Sequence, residues 1–168
     1  MMALDVVERL AQLRSHDPTL RLYGLVDGVQ YENHRGERLT GGPGMASLFD
    51  GTADAALAHA GPWLIDVEIA GEAVASDLAK LEREAPAVSW LISQADLHGL
   101  AQLLQLQLDA RLPDGRVALL RLWDPRVLAS LVDVLSIRQR ESFFVHIHEW
   151  HLLRDGRRVH VGRTHADV

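Results

Sequence analysis

The chain has 168 residues, with 17 basic and 23 acidic side chains, a formal net charge of −6 and no cysteine. That length suits one compact domain, which buries about 68–70% of its unfolded surface without disulfide or metal staples. A hydrophobic fraction of 48% and a charged fraction of 24% exclude a disordered, collagen-like or coiled-coil chain. The acidic balance leaves no basic footprint for nucleic acid, and the lack of cysteine removes thiolate zinc, iron–sulfur and thiol chemistry. Lys80 is the sole lysine, so Schiff-base and P-loop lysine chemistry have almost no candidates.

Between Met1 and Leu13, the spacing of Val6, Leu10 and Leu13 marks one face of an amphipathic helix. Asp5 and Glu8 interrupt the apolar core that a signal peptide would need. No apolar run approaches about 18 residues, so no membrane insertion is expected and the cytoplasm is the expected location. Leu20–Val29 reads as a buried strand closed at Asp27–Gly28. Tyr31–Gly44 reads as a polar loop ending in Gly41-Gly42-Pro43-Gly44, followed by short helical turns at Leu48–Phe49 and Ala53–Ala60. Gly61–Pro62 breaks these, and Trp63–Ile69, which alternates from Ile65 onward, reads as a second strand. Val74, Leu78 and Leu81 predict a helix stopped by Pro86. Val88–Ser93 is a third strand, and Asp96 caps a helix through Leu97, Leu100, Leu103 and Leu104.

Leu106, Leu108 and Ala110 alternate with polar residues before Pro113-Asp114-Gly115, and Val117–Trp123 returns as the partner strand of a hairpin. Asp124 as N-cap and Pro125 at the first helical position start a helix. Its expected buried face is Val127, Leu128, Leu131, Val134 and Leu135. A second hairpin follows, His146–Arg154 and Arg158–Arg163 around Asp155–Gly156. No repeat or linker divides the chain. The expectation is a single α/β domain of α+β character over residues 1–168, a mixed sheet with antiparallel hairpins flanked by helices, of about five to seven strands and four or five helices.

Asp27, Asp66 and Asp124 each follow a strand, where clustered carboxylates could hold Mg²⁺. Asp27–Gly28 is also a turn pair, however, and Asp124 a cap. Five of nine histidines lie after residue 145. His146 and His148 share a strand face with His160 opposite, a histidine metal-site spacing, but Glu149 falls on the other face and completes no ligand set. Gly41–Gly44 lacks the lysine of a phosphate loop, and no G-x-S-x-G elbow is present. No catalytic residue, cofactor or metal ligand is therefore expected. A small metal- or carboxylate-dependent hydrolase using the strand-end aspartates or the C-terminal histidines is the alternative. Arg126, a cation in a first helical turn, is expected to pair with a carboxylate such as Asp27 or Asp66, or else to face an acidic partner segment. Trp63, Trp90 and Trp123 are expected in the core. Phe143, Phe144 and Trp150 border the tail hairpin, read as a sheet edge, and are expected with Arg126 at a partner interface.

The order Leu22-Tyr23-Gly24-Leu25-Val26-Asp27-Gly28, Gly61-Pro62-Trp63-Leu64, Ser89-Trp90-Leu91-Ile92-Ser93, Pro113-Asp114-Gly115, Leu120-Arg121-Leu122-Trp123-Asp124-Pro125-Arg126-Val127-Leu128, Phe143-Phe144 and Trp150 is informative as a whole. It resembles the domain of unknown function of Tap/Tec-type adaptor chaperones of bacterial type VI secretion, from Leu20 to Trp150. The string from Arg121 to Leu128 after the Pro-Asp-Gly hairpin is its most specific element. The resemblance implies a non-enzymatic adaptor that holds a toxic effector, often by its N-terminal segment, and loads it onto the VgrG spike. It also implies that Asp27, Pro62, Trp63, Arg121, Asp124 and Pro125 are family-motif residues with structural roles. Many members continue into a helical C-terminal lobe that helps to grip cargo, so the resemblance here is to the N-terminal lobe. Cargo is expected in a partly apolar groove between the tail hairpin and the helix after Asp124, as a helix or an added strand.

Overall fold

A computed structural model describes residues 4–162 and 166–167. The chain runs α1 (Leu4–Arg14), β1 (Arg21–Asp27), α2 (Gly28–Arg35), β2 (Met45–Ser47), a 3-10 turn (Ala55–Ala60), β3 (Pro62–Asp66), α3 (Val67–Ala70) and α4 (Glu72–Glu84). It continues through β4 (Val88–Ser93), α5 (Leu97–Gln107), β5 (Asp109–Arg111), β6 (Val117–Leu119), α6 (Pro125–Val134) and α7 (Ile137–Phe143). The last elements are β7 (Glu149–Arg154), β8 (Arg157–Val161) and β9 (Ala166–Asp167). Seven strands form one sheet in the order β2-β3-β1-β4-β7-β8-β9, and β5 and β6 form a separate ribbon.

β1, β3 and β4 are buried on both faces, which explains their near-continuous apolar sequences. Along β1 successive side chains serve opposite layers. Leu22 and Val26 join Ile65, Trp90 and Ile92 against Val6 and Leu10 of α1 and Leu78 and Leu81 of α4. Tyr23 and Leu25 join Leu64, Leu91 and Trp150 against α5, α6 and α7 through Leu100, Leu104, Leu128 and Phe143, with Phe144 just beyond α7. The result is three layers, helices on each side of a central sheet. Two ion-pair groups fasten α1 to the far hairpin. Arg9 Nη2 donates to Glu149 Oε1 at 2.5 Å, and Arg158 Nε donates to Asp5 Oδ2 at 2.7 Å. Arg158 also grips the buried Glu82 with both terminal nitrogens, at 2.7 and 2.8 Å.

The α+β class and the single domain are as expected. The sheet, however, contains only antiparallel pairs among the described residues, so the parallel pairing of a mixed sheet is absent. The segment read as a polar loop from Tyr31 begins as helix α2, because Asp27 caps it: its Oδ1 accepts from the amides of Val29 and Gln30. The second strand ends at Asp66 rather than Ile69, since Asp66 caps α3 in the same way. Met45–Ser47 is an edge strand and Leu48–Phe49 is a turn, not a helical piece. The Pro-Asp-Gly hairpin is shorter than its alternation suggested, because Leu106 and Gln107 are the end of α5. On α6 Val134 is exposed, while Leu128 and Val132 are buried. The tail hairpin turns at Asp155 and Gly156, both with positive φ, the two-residue geometry that matches strand twist. β8 ends at Val161; Arg163 and His165 lie outside the described residues, as do Met1 to Ala3.

Candidate functional site

The string from Arg121 to Leu128 sets the position of α6. Asp124 accepts from the Arg126 amide at 2.9 Å and from the Arg126 guanidinium at 3.1 and 2.9 Å, and Pro125 follows as the first helical residue. Arg126 thus pairs with Asp124, not with Asp27 or Asp66, and stays 67% exposed. Trp123 packs edge-on against Phe49 with centroids 5.8 Å apart. The Arg121 guanidinium lies 5.9 Å over the Trp123 ring and 3.8 Å from Asp27. Pro62 faces Asp27 in the β1–β3 register, and the buried Trp63 donates to Ala58 O at 2.9 Å. The family-motif residues therefore gather at one end of the sheet, where α2 and α6 begin.

The two carboxylates there differ. Burial pushes Asp27 up from the usual carboxylate value, against the amides of Gln30 and Val29 and the Arg121 charge. Burial also acts on Asp124, but the Arg126 guanidinium and amide outweigh it and hold Asp124 low. Asp66 sits at the other end of β3 and pairs with Arg21 at 2.6 Å. The three strand-end aspartates are thus helix caps at two separate places, with their oxygens committed to amides and guanidinium groups.

The tail histidines are also dispersed. His146 and His148 precede β7 rather than lying on it, whereas His151 faces His160 across the hairpin with ring centroids 5.1 Å apart. The buried His151 places Nε2 2.8 Å from Glu149 Oε2. Glu149 resists the upward push of burial because His151 and Arg9 hold it, and its pKa falls to about 2. Among the described residues no group of three or more histidines and carboxylates is arranged to hold a metal ion.

The aromatic residues expected at a partner surface lie in the core instead. Phe144 and Trp150 are wholly buried and Phe143 nearly so. Phe143 stacks on Trp150 at 5.9 Å, and Trp150 Nε1 donates to Ser89 Oγ at 2.8 Å. The cause is α7, unrecognised in the sequence: its Ser136–Gln139 capping box starts a helix that folds these rings inward. The expected groove between α6 and the tail hairpin is nevertheless present, with a volume of about 440 Å³. Ala129, Val132 and Asp133 of α6 form one wall; Leu152, Arg154, Val159 and Val161 form the other. Sequence reading missed these residues. Their signal was the same-face pairs Leu152/Arg154 and Val159/Val161 on adjoining strands. Arg154 lies 3.7 Å from Asp133 across the groove.

A family model described as "Domain of unknown function (DUF4123)" matches residues 22–142. The chain belongs to the DUF4123 family. That family is associated with effector adaptors and chaperones of type VI secretion. The match starts within β1 and ends within α7, so it includes the string from Arg121 to Leu128 and precedes the hairpin half of the groove. No curated protein and no solved structure matches this DUF4123 chain. Among the described residues of this DUF4123 domain no helix is long and apolar enough to cross a membrane.

Proposed function

We propose that this DUF4123 domain is a non-enzymatic adaptor of the bacterial cytoplasm. It holds a segment of a type VI secretion effector in the groove between α6 and the β7–β8 hairpin and aids loading onto a VgrG-type spike. The observation that carries this reading is the groove itself on a domain of this family. Its floor is apolar, its rim carries Asp133, Arg154, Asp155 and Arg157, and the small side chain of Ala129 leaves room for a bulky anchor. Apolar depth with a mixed-charge rim suits a peptide laid lengthwise, with its anchors in the floor and its polar edge on the rim. The strand-end aspartates support the non-enzymatic reading, because each has a complete role as a cap.

The test is co-purification with the effector and spike proteins encoded beside this chain. Wild type should retain the effector, and Ala129→Glu/Val159→Glu should lower its recovery at least tenfold with an unchanged denaturant midpoint. If wild type retains neither protein, the adaptor reading fails. If the double variant retains both equally, the groove is the wrong surface.

A further inference from the structure

A second groove, of about 430 Å³, lies on the other flank of α6. Leu131 of α6 and Leu135, just past its end, line it with Leu120, Phe143, Asp109 and Arg138. At 100° per residue, Leu131 points about 160° away from Ala129 and Asp133 and about 100° away from Val132. The two grooves therefore sit on different flanks of one helix and can be filled together.

Exposed apolar side chains stand close in the chain to residues that line the second groove. Val134 and Ile137, at the junction of α6 and α7, are 75% and 80% exposed. Val117 and Leu119 are exposed on β6. They share the outer face of the ribbon with their cross-strand partners Arg111 and Asp109. A cluster of exposed large apolar side chains around a groove marks an interaction surface.

Charge identifies what would cover it. Seven basic and fifteen acidic residues precede residue 100, whereas ten basic and eight acidic residues follow it. The positive half is the half that carries both grooves. Arg116, Arg121, Arg126 and Arg154 each have a carboxylate partner. Among the described residues Arg138, which lines the second groove, and Arg111, two positions along β5 from the lining residue Asp109, appear in no ion pair. Asp109 is the one carboxylate in the groove lining.

We infer that this face is a second docking surface, which takes an acidic amphipathic helix of a partner protein. The helix lays its apolar stripe on Leu131, Val134, Leu135 and Ile137, with its carboxylates over Arg111 and Arg138. This inference rests on the adaptor reading and deepens it: one helix, α6, bridges two partners, cargo on one flank and an acidic helix on the other. A second copy of this chain would set the arginines of the two copies against each other at the same patch.

The test uses a fluorescent 18-residue Leu/Glu amphipathic peptide and its Leu/Lys counterpart, with fluorescence anisotropy as the readout. Wild type should bind the Glu peptide at least tenfold more tightly than the Lys peptide. Arg111→Glu/Arg138→Glu and Val134→Ser/Ile137→Ser should each weaken Glu-peptide binding at least tenfold; all four positions are exposed. Ala129→Glu/Val159→Glu should leave it unchanged. Absence of binding, equal binding of both peptides, or unchanged binding by the variants overturns the inference. So does a wild-type dimer in sedimentation that Val134→Ser/Ile137→Ser dissolves. Failure of the adaptor reading is seen separately, as loss of effector and spike from the wild-type co-purification with peptide binding intact.

Discussion

Replacing Asp124 tests whether the Asp-Pro helix start is structural. Its carboxylate is buried, accepts from the Arg126 amide, and pairs with a guanidinium that is 67% exposed. Alanine removes the cap, worth about 1 kcal/mol, and the favourable charge at the helix N-terminus, worth about 0.5 kcal/mol. Losing the exposed pair adds no more than about 0.5 kcal/mol. The expected loss is about 1.5–2 kcal/mol. With a urea slope near 2 kcal/mol/M, the midpoint should fall by about 0.7–1 M. Asp124→Asn keeps an oxygen for the Arg126 amide and should lose less than half as much. Urea unfolding followed by tryptophan fluorescence reads both variants. A midpoint for Asp124→Ala within about 0.2 M of wild type, a small fraction of the shift expected from the cap, would show that the carboxylate does not hold the helix. It would make Asp124 a contact residue. Equal losses for Ala and Asn would assign the effect to charge rather than capping.

Other outcomes follow from the same geometry. Glu149 has its pKa depressed to about 2, from an ordinary 4.5. Its stabilisation is therefore present above about pH 4.5 and is lost as pH falls towards 2; it amounts to no more than about 3 kcal/mol. The urea-midpoint gap between wild type and Glu149→Gln should be clear at pH 7 and narrow sharply by pH 2.5. Phe144→Ala should cost about 3–5 kcal/mol because the ring is fully buried. Calorimetry should show that loss, while the folded fraction keeps its partner affinity. Gly28→Ala would set a Cβ 2.2 Å from His59 O and 2.7 Å from Gly61 O, both backbone atoms. A destabilisation of about 3 kcal/mol, read as a lower Tm, is expected.

Elements governed by local chemistry were legible in the sequence. Asp96 and Asp124 caps, the Pro86 stop, the Val88–Ser93 strand and the Asp155–Gly156 turn depend on neighbours within a few residues. Features decided at longer range were not. Asp27–Gly28 reads equally as a hairpin turn or a helix start; the choice falls to the helix because the Gly28 amide reaches Gly61 O, 33 positions on, at 2.9 Å. The tail hairpin is a sheet edge in the sequence only if nothing lies outside its first strand. Placing β7 beside β4, with β8 beyond it, puts Trp150 in the interior. Phe143 and Phe144 follow it inward through α7, whose only signal was Ser136 three positions before Gln139. The groove was located from the order of its two walls, but its lining depends on how α6 is rotated against the hairpin.

The bonds between α1 and the β7–β8 hairpin set a schedule for synthesis. Arg9 meets Glu149 and Asp5 meets Arg158, so two of the ion pairs of the first helix wait for strands made late in the chain, whereas its Arg14–Glu68 pair does not. At about 5–20 residues per second on the ribosome, Arg9 waits roughly 7–28 s for Glu149. During that interval the apolar stripe of Val6 and Leu10 has α4 and the inner strands to rest on, but Glu82, nearly inaccessible in the finished fold, lacks Arg158. The buried carboxylate therefore keeps one flank of the nascent domain hydrated until the last hairpin brings its counter-charge.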